Sequence, residues 1–278
     1  LKPSPDGRHV LAMKTDRPQS HPVHMVVVAP DDQVQPRLKS INYLKPGDRI
    51  ARARPAVFEL ESGRRMDVEP GVVSNPWSIN RISWHPDGDR VRMLYNQRGH
   101  QTLRYIELDV RDGSTRVLIE ETSPTFIDYA GKLFLHVLDG GDQAIWMSER
   151  SGWNHLEMID LVTGVRRSLT EGAYVVRGVD DVDEEQRRIR FRVLGIDPDQ
   201  DPYHVHHATL DLDSGRLVRL TEGDGTHTIE FSPDGRFYVD RWSRVDLPPI
   251  HELRRAKDGG LITTLARADA SKLMVGGW

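Results

Sequence analysis

The chain has no cysteine. That excludes disulfide staples and thiolate zinc sites, though it excludes no compartment. Long apolar runs are also missing. The longest, Met25–Ala29, is far too short to cross a bilayer as a helix, and mean hydropathy is −0.54. Neither sign of charge is in excess. With 38 basic and 42 acidic residues the formal net charge is −4, and no Lys/Arg run stands out, which argues against a nucleic-acid partner. The serine nucleophile elbow G-x-S-x-G occurs nowhere in the chain. The chain opens on Leu1 rather than Met and carries no signal-like segment, which fits a start inside a longer gene product.

What the sequence does contain is a repeat. The stretch Ser148–Gly172 reads as strand, tight turn, strand and polar exit: Ile159-Asp160-Leu161 runs into Gly164, and Val165–Leu169 ends in Thr170-Glu171-Gly172. The same grammar recurs at Phe58-Glu59-Leu60 with Gly63, Leu108-Asp109-Val110 with Gly113, and Leu210-Asp211-Leu212 with Gly215. These turn glycines lie 50, 51 and 51 residues apart. A period near fifty with several short strands per unit is the mark of a β-propeller, a radial array of small sheets. The 278 residues suffice for one large all-β domain whose units bury their apolar faces against each other.

Five four-stranded blades are expected, over residues 1–70, 71–121, 122–171, 172–222 and 223–265, with 266–278 as a linker or short helix. The first opens on the turn Ser4-Pro5-Asp6-Gly7 and has strands at His9–Lys14, Val23–Ala29 and Pro55–Leu60. The second turns at His85-Pro86-Asp87-Gly88 and the fifth at Ser232-Pro233-Asp234-Gly235. The third is expected to begin with strands at Phe126–Tyr129 and Lys132–Leu138. In the fourth, a longer acidic loop, Asp180–Gln186, replaces that turn between strands Val175–Val179 and Arg188–Leu194. Five such units can close into a ring or form an arc cut from a larger one. An open arc would leave flanks without partners, so a homodimer is expected.

The candidate chemistry is sparse. His204, His206 and His207 have ligand-type side chains, and His204 and His206 would share a strand face, but with no distant partner apparent an exposed strand face or a blade contact is the favoured reading. Asp197–Pro202 starts like a calcium loop, yet Pro202 stands where glycine is needed and Ala208 where glutamate is needed. No metal ligand, cofactor or catalytic residue is assigned. The basic pairs Arg64-Arg65, Arg166-Arg167 and Arg187-Arg188 read as edge protection beside turns. Trp84, Trp146 and Trp242 fall in or at the ends of strands and read as core. Trp153 differs, because it sits in a turn between Gly152 and Asn154, placed to face a cavity or cap a hairpin. With Glu149 and Arg150 on the same turn, it is the candidate for lining a substrate cavity.

Two strings carry a resemblance: Ser148–Gly164 with the preceding Glu120–Tyr129, and the run Leu220–Pro249. Together with Ile41–Asp48 they resemble the propeller region of dipeptidyl peptidase IV-like serine peptidases of the prolyl oligopeptidase group. The resemblance implies an eight-bladed propeller followed by an α/β-hydrolase domain that releases dipeptides from the amino end of peptides, often after proline. It implies a peptide substrate and the hydrolase domain as partners, and it favours a periplasmic or secreted address. The chain stops about where that hydrolase domain would begin, and it starts after the blades that bear the paired glutamates gripping the substrate amine. The five units are therefore expected to be later blades of a larger ring, a substrate-gating portion with no catalysis of its own. The rival expectations are a stand-alone interaction module and a metal-dependent hydrolase using His204 or His206.

Overall fold

The recurrent glycines explain themselves once the backbone is seen. Gly63, Gly113, Gly164 and Gly215 have φ of 70°, 81°, 75° and 71°, a region that side chains with a Cβ rarely enter. Each donates its N–H to the carbonyl four residues back, at Glu59, Asp109, Asp160 and Asp211. The aspartate that precedes the turn also works locally: the carboxylates of Asp109, Asp160 and Asp211 accept the N–H groups of Arg111, Val162 and Asp213 two residues on. Of the two glycines expected at the fifth such turn, Gly259 takes the role, with φ 73° and its N–H on the Arg255 carbonyl.

The structure, a computed structural model, describes residues 1–277. Among them the strands form five four-stranded antiparallel sheets and one two-stranded hairpin. The first sheet holds β1 (Lys2–Pro3) and β2 (His9–Asp16), and then, after the hairpin of β3 (Pro22–Val27) and β4 (Arg37–Asn42), β5 (Arg52–Glu59) and β6 (Arg65–Asp67). The second is a plain meander of β7 (Pro76–Trp84), β8 (Arg90–Gln97), β9 (Thr102–Asp109) and β10 (Thr115–Thr122). The third has β11 (Leu135–Val137), β12 (Gln143–Ser148), β13 (His155–Asp160) and β14 (Arg166–Ser168). The fourth has β15 (Val175–Asp183), β16 (Arg188–Leu194), β17 (Val205–Asp211) and β18 (Leu217–Arg219). The fifth has β19 (Thr226–Phe231), β20 (Phe237–Arg244), β21 (Leu247–Arg255) and β22 (Leu261–Arg267), followed by the short helix α1 (Ser271–Val275). None of the sheets closes into a barrel, and the succession of meanders is consistent with blades of a partial propeller.

The chain divides into two compact units, Leu1–Ile127 and the part from Asp128 onward. In the first, Leu11, Val57 and Met66 of the first sheet pack with Met93, Tyr95, Ile106 and Leu108 of the second. In the second, Ile145, Met147, Leu156 and Met158 of the third sheet pack with Ile189, Phe191, Val193 and Leu210 of the fourth. Each such fully buried side chain contributes about 1.5–3 kcal/mol relative to exposure.

Four local expectations are corrected. Val23–Ala29 is apolar but joins no blade: β3 pairs only with β4, and Met25 and Val26 are exposed on that hairpin. Phe126–Tyr129 is not a strand, since Ile127 instead donates its N–H to the His100 carbonyl. The acidic loop is shorter than its composition suggests. Asp180–Asp183 belong to β15, where register shifts at Val176/Gly178 and Val179/Asp181 fit them against the arginines of β16. Arg188 is accordingly the first residue of that inner strand and not edge protection.

Candidate functional site

The site candidates of the second unit lie on the turns that join the second and third strands of its sheets. The turn between β12 and β13 closes with the Gly152 N–H on the Glu149 carbonyl, at φ 92°. Trp153 follows and is 44% exposed, so it presents its indole outward rather than capping the core. Its outward position is set by its two neighbours. Asn154 is 1% exposed and clamps the next sheet: its side-chain amide donates to the Val176 carbonyl at 2.7 Å, and its own carbonyl accepts the Val176 N–H at 2.8 Å.

His155, also buried, donates from Nε2 to the Gly172 carbonyl at 3.0 Å and accepts at Nδ1 from the Thr170 hydroxyl at 3.0 Å. The Thr170 oxygen in turn accepts the Leu156 N–H at 2.9 Å. The Tyr174 ring meets His155 edge-on at 5.0 Å. The string Gly152-Trp153-Asn154-His155 is thus one exposed aromatic carried on two buried polar staples.

Glu149 and Arg150 stand on the same turn but are tethered. Glu149 receives a hydrogen bond from the Lys132 ammonium at 2.5 Å, and Arg150 donates from Nε to the Ser148 hydroxyl at 3.0 Å. The structure therefore brings Trp153, Glu149 and Arg150 together on one turn and leaves Trp153 as the member with a free face.

The staple returns fifty-one residues later. His206 Nδ1 pairs with the Thr221 hydroxyl at 3.0 Å, and that oxygen accepts the His207 N–H at 3.0 Å. The His206 Nε2 donates to Gln200 at 2.8 Å. Burial and then the neighbouring His227 pull the His206 pKa down to about 4, so the ring is neutral near pH 7. His227 lies 4.8 Å away ring to ring, with Nδ1 2.9 Å from Asp240 and Nε2 donating to the Gly223 carbonyl at 2.8 Å. That pair has no exposed side-chain surface, so no substrate reaches it.

With both ring nitrogens of His206 used inside the fold, it has none to offer a metal. Among the described residues no group of three or more His, Cys, Asp or Glu is placed to hold one. His204 precedes β17 and faces Asp224 at 3.3 Å. Asp197 is a turn former: it accepts the Asp199 N–H at 3.2 Å and pairs with Arg219.

Residues 3–249 match the family described as the dipeptidyl peptidase IV (DPP IV) N-terminal region. The chain belongs to that family. Two fungal relatives, the dipeptidyl peptidase 4 proteins of Trichophyton equinum and Trichophyton tonsurans, are each 20% identical to it over 242 residues, covering 79% of this chain and 31% of theirs. The crystal structure of Porphyromonas gingivalis dipeptidyl peptidase 4 superposes with a TM-score of 0.71 at 17% identity, covering 99% of this chain and 38% of that one. At this identity the likeness shows the fold. This family member spans about a third of the length of the curated relatives it matches. No helix among its described residues is long and apolar enough to cross a membrane.

The sequence reading does not join His155 with Thr170, or their counterparts His206 with Thr221, as a unit, and it does not mark Asn154. A signal was present. His155 and His206 are 51 residues apart, as are Thr170 and Thr221, the same beat as the turn glycines.

Proposed function

We propose that this chain walls and gates the substrate chamber of a dipeptidyl-peptidase-IV-like serine exopeptidase that removes amino-terminal dipeptides. The hydrolytic serine belongs to an α/β-hydrolase domain outside the 278 residues. The reading is carried by one observation: the family match runs across residues 3–249 of a chain that has no nucleophile elbow. In this role the sheets exclude water and large substrates and hold the peptide in register with the reacting serine. Trp153, exposed on a turn fixed from behind by Asn154 and His155, is the side chain proposed to meet the peptide, with Glu149 and Arg150 beside it.

Two measurements test this. The isolated chain, given a chromogenic dipeptidyl substrate, is expected to show no turnover, and hydrolysis at a serine-peptidase rate would sink the proposal. The coding sequence beyond Trp278 is expected to encode G-x-S-x-G followed by Asp and then His; a stop codon there would favour a stand-alone interaction module instead. In the assembled peptidase, Trp153→Ala is expected to lower kcat/KM by about tenfold, as loss of one aromatic contact of about 1.4 kcal/mol would.

A further inference from the structure

We propose that a cleft in the first unit, lined by Arg52, Arg54 and Arg65, docks a peptide segment bearing carboxylate side chains. The strand β5 places Arg52 and Arg54 two residues apart and hence on one face of the first sheet. Across the ladder to β6, Phe58 faces Arg65 and Ala56 faces Asp67, which brings Arg65 to that same face. Across the other ladder, Arg54 stands directly opposite Lys14. Like charges directly opposed weaken a sheet, so the fold gains nothing from this arrangement.

The local acids do not neutralise it. Asp67 is engaged with Arg65 at 2.6 Å, and Asp16 reaches Arg54 only at 3.7 Å. The Arg52 guanidinium is paired with no carboxylate among the described residues, although Asp16 stands opposite it in the ladder. The face thus carries four cations against two carboxylates.

The cleft is a shaped cavity of about 360 Å³, within the size range of ligand sites. Its walls are Pro55, Pro70, Pro76 and Val73. Proline has a fixed φ, so that part of the wall is stiff, and Ser74 and Asn75 complete the lining with polar side chains. Planar guanidinium forks match carboxylates two bonds at a time, and their pairing is stronger than that of neutral groups. A free inorganic ion would leave the apolar walls unused. A peptide with Asp or Glu side chains fills both the walls and the forks. The site lies wholly in the first unit and needs no catalytic domain to act.

The test uses the whole chain with a fluorescent hexaglutamate peptide at low ionic strength, read by anisotropy, with hexalysine and a neutral Gly-Ser peptide alongside. The acidic peptide alone is expected to bind, and binding should fade as salt screens it. Arg52→Gln with Arg54→Gln is expected to weaken it by about tenfold or more, while Arg52→Lys with Arg54→Lys, which keeps charge without the fork, should retain part of it. In the unmutated chain the acidic peptide should protect Arg52 and Arg54 from phenylglyoxal, mapped by mass spectrometry, a readout independent of any variant's folding. Unchanged affinity in the glutamine pair, equal binding of the neutral peptide, or absence of protection would overturn the proposal. Inorganic phosphate binding more tightly than the peptide would overturn the peptide assignment and identify a free oxyanion as the ligand.

Discussion

The fourth sheet packs against two neighbours through opposite faces of one strand, and the two seams are built of different matter. Strand β16 reads Arg188-Ile189-Arg190-Phe191-Arg192-Val193, a strict alternation. Its apolar residues join Ile145, Met147, Leu156 and Met158 of the third sheet in a dry core. Its arginines line the space toward the fifth sheet, which among the described residues adds nothing to that core. There, Arg190 lies over the Phe231 ring at 4.4 Å and donates to Asp181 at 2.8 Å. Arg192 donates to Asp180 at 2.8 Å, and Asp180 also faces His207 at 3.4 Å. Cavities of about 300 and 420 Å³ run along this second seam and share Asp181, Arg190 and Phe231. Period-two alternation lets one strand serve both seams, the first a continuous apolar core and the second carrying arginines over the partly buried Phe231 ring. The second rests on paired charges and hydrogen bonds, whose net worth depends on pH and salt.

If that division holds, the largest loss should come from the dry side. Phe191→Ala, at a position with no exposure, is expected to destabilise by about 3–5 kcal/mol, as large cavities in cores do. Phe231→Ala, on the charged side and only partly buried, should cost about 1–2 kcal/mol. Urea unfolding monitored by tryptophan fluorescence measures both, and equal losses would erase the distinction.

Next in size is a pH effect at the buried His206, which by register stands opposite Val193 and meets His227 of the fifth sheet ring to ring. His206 has its pKa held down at about 4 by burial and by the neighbouring His227. Between that value and the unfolded value of about 6.5, the unfolded chain binds more protons than the folded one, so stability rises with pH. The contribution is complete above about pH 6.5 and drains away as pH falls toward 4, by up to about 3 kcal/mol. His206→Gln should flatten the profile in that window when unfolding midpoints are compared at neutral and mildly acidic pH. A profile as steep as that of the unmutated chain would assign the effect elsewhere.

The two seams also differ in how far the sequence announced them. The glycine beat was legible because a left-handed turn is a local demand, met almost only by glycine, and Gly63, Gly113, Gly164 and Gly215 meet it at constant spacing. The five-blade count follows from that beat. Val23–Ala29 misled because apolar composition signals burial only when a neighbour is there to bury it, and β3 has none but β4. Asp180–Asp183 looked like solvent loop because three aspartates within four residues usually are one, and only the facing arginines of β16 make them strand. The exposure of Trp153 was legible from its place in a turn. Its support was not, since Asn154 and His155 are polar residues whose burial depends on distant partners, Val176 of the next sheet for the first and Thr170 and Gly172 of the connection leading to it for the second.

Smaller effects probe the charged seam from within. Arg190→Met keeps the stem over Phe231 but removes the cation, and it should cost about 1 kcal/mol at low salt and less at high salt, because the pair with Asp181 is partly exposed and screened. A salt-independent loss would mean that packing, not charge, holds Arg190 in place.

The finest test is a single methyl group. Gly178 sits on β15 opposite Arg192, and a Cβ there would come within 2.7 Å of the Arg192 Nη2. That atom is the end of a flexible side chain, so the guanidinium can swing aside, at the expense of its grip on Asp180. Gly178→Ala also restricts the unfolded chain, which offsets part of the loss. The net change expected is under about 1 kcal/mol, with the distinguishing sign in the carboxylate. Asp180 now titrates below the usual range, because His207 and Arg192 together outweigh the burial that would raise it, and loosening Arg192 should move it back up. Carbon-detected NMR titration of Asp180 in the two proteins reads this directly. An unmoved carboxyl would mean that His207 alone sets the charge at this end of the seam.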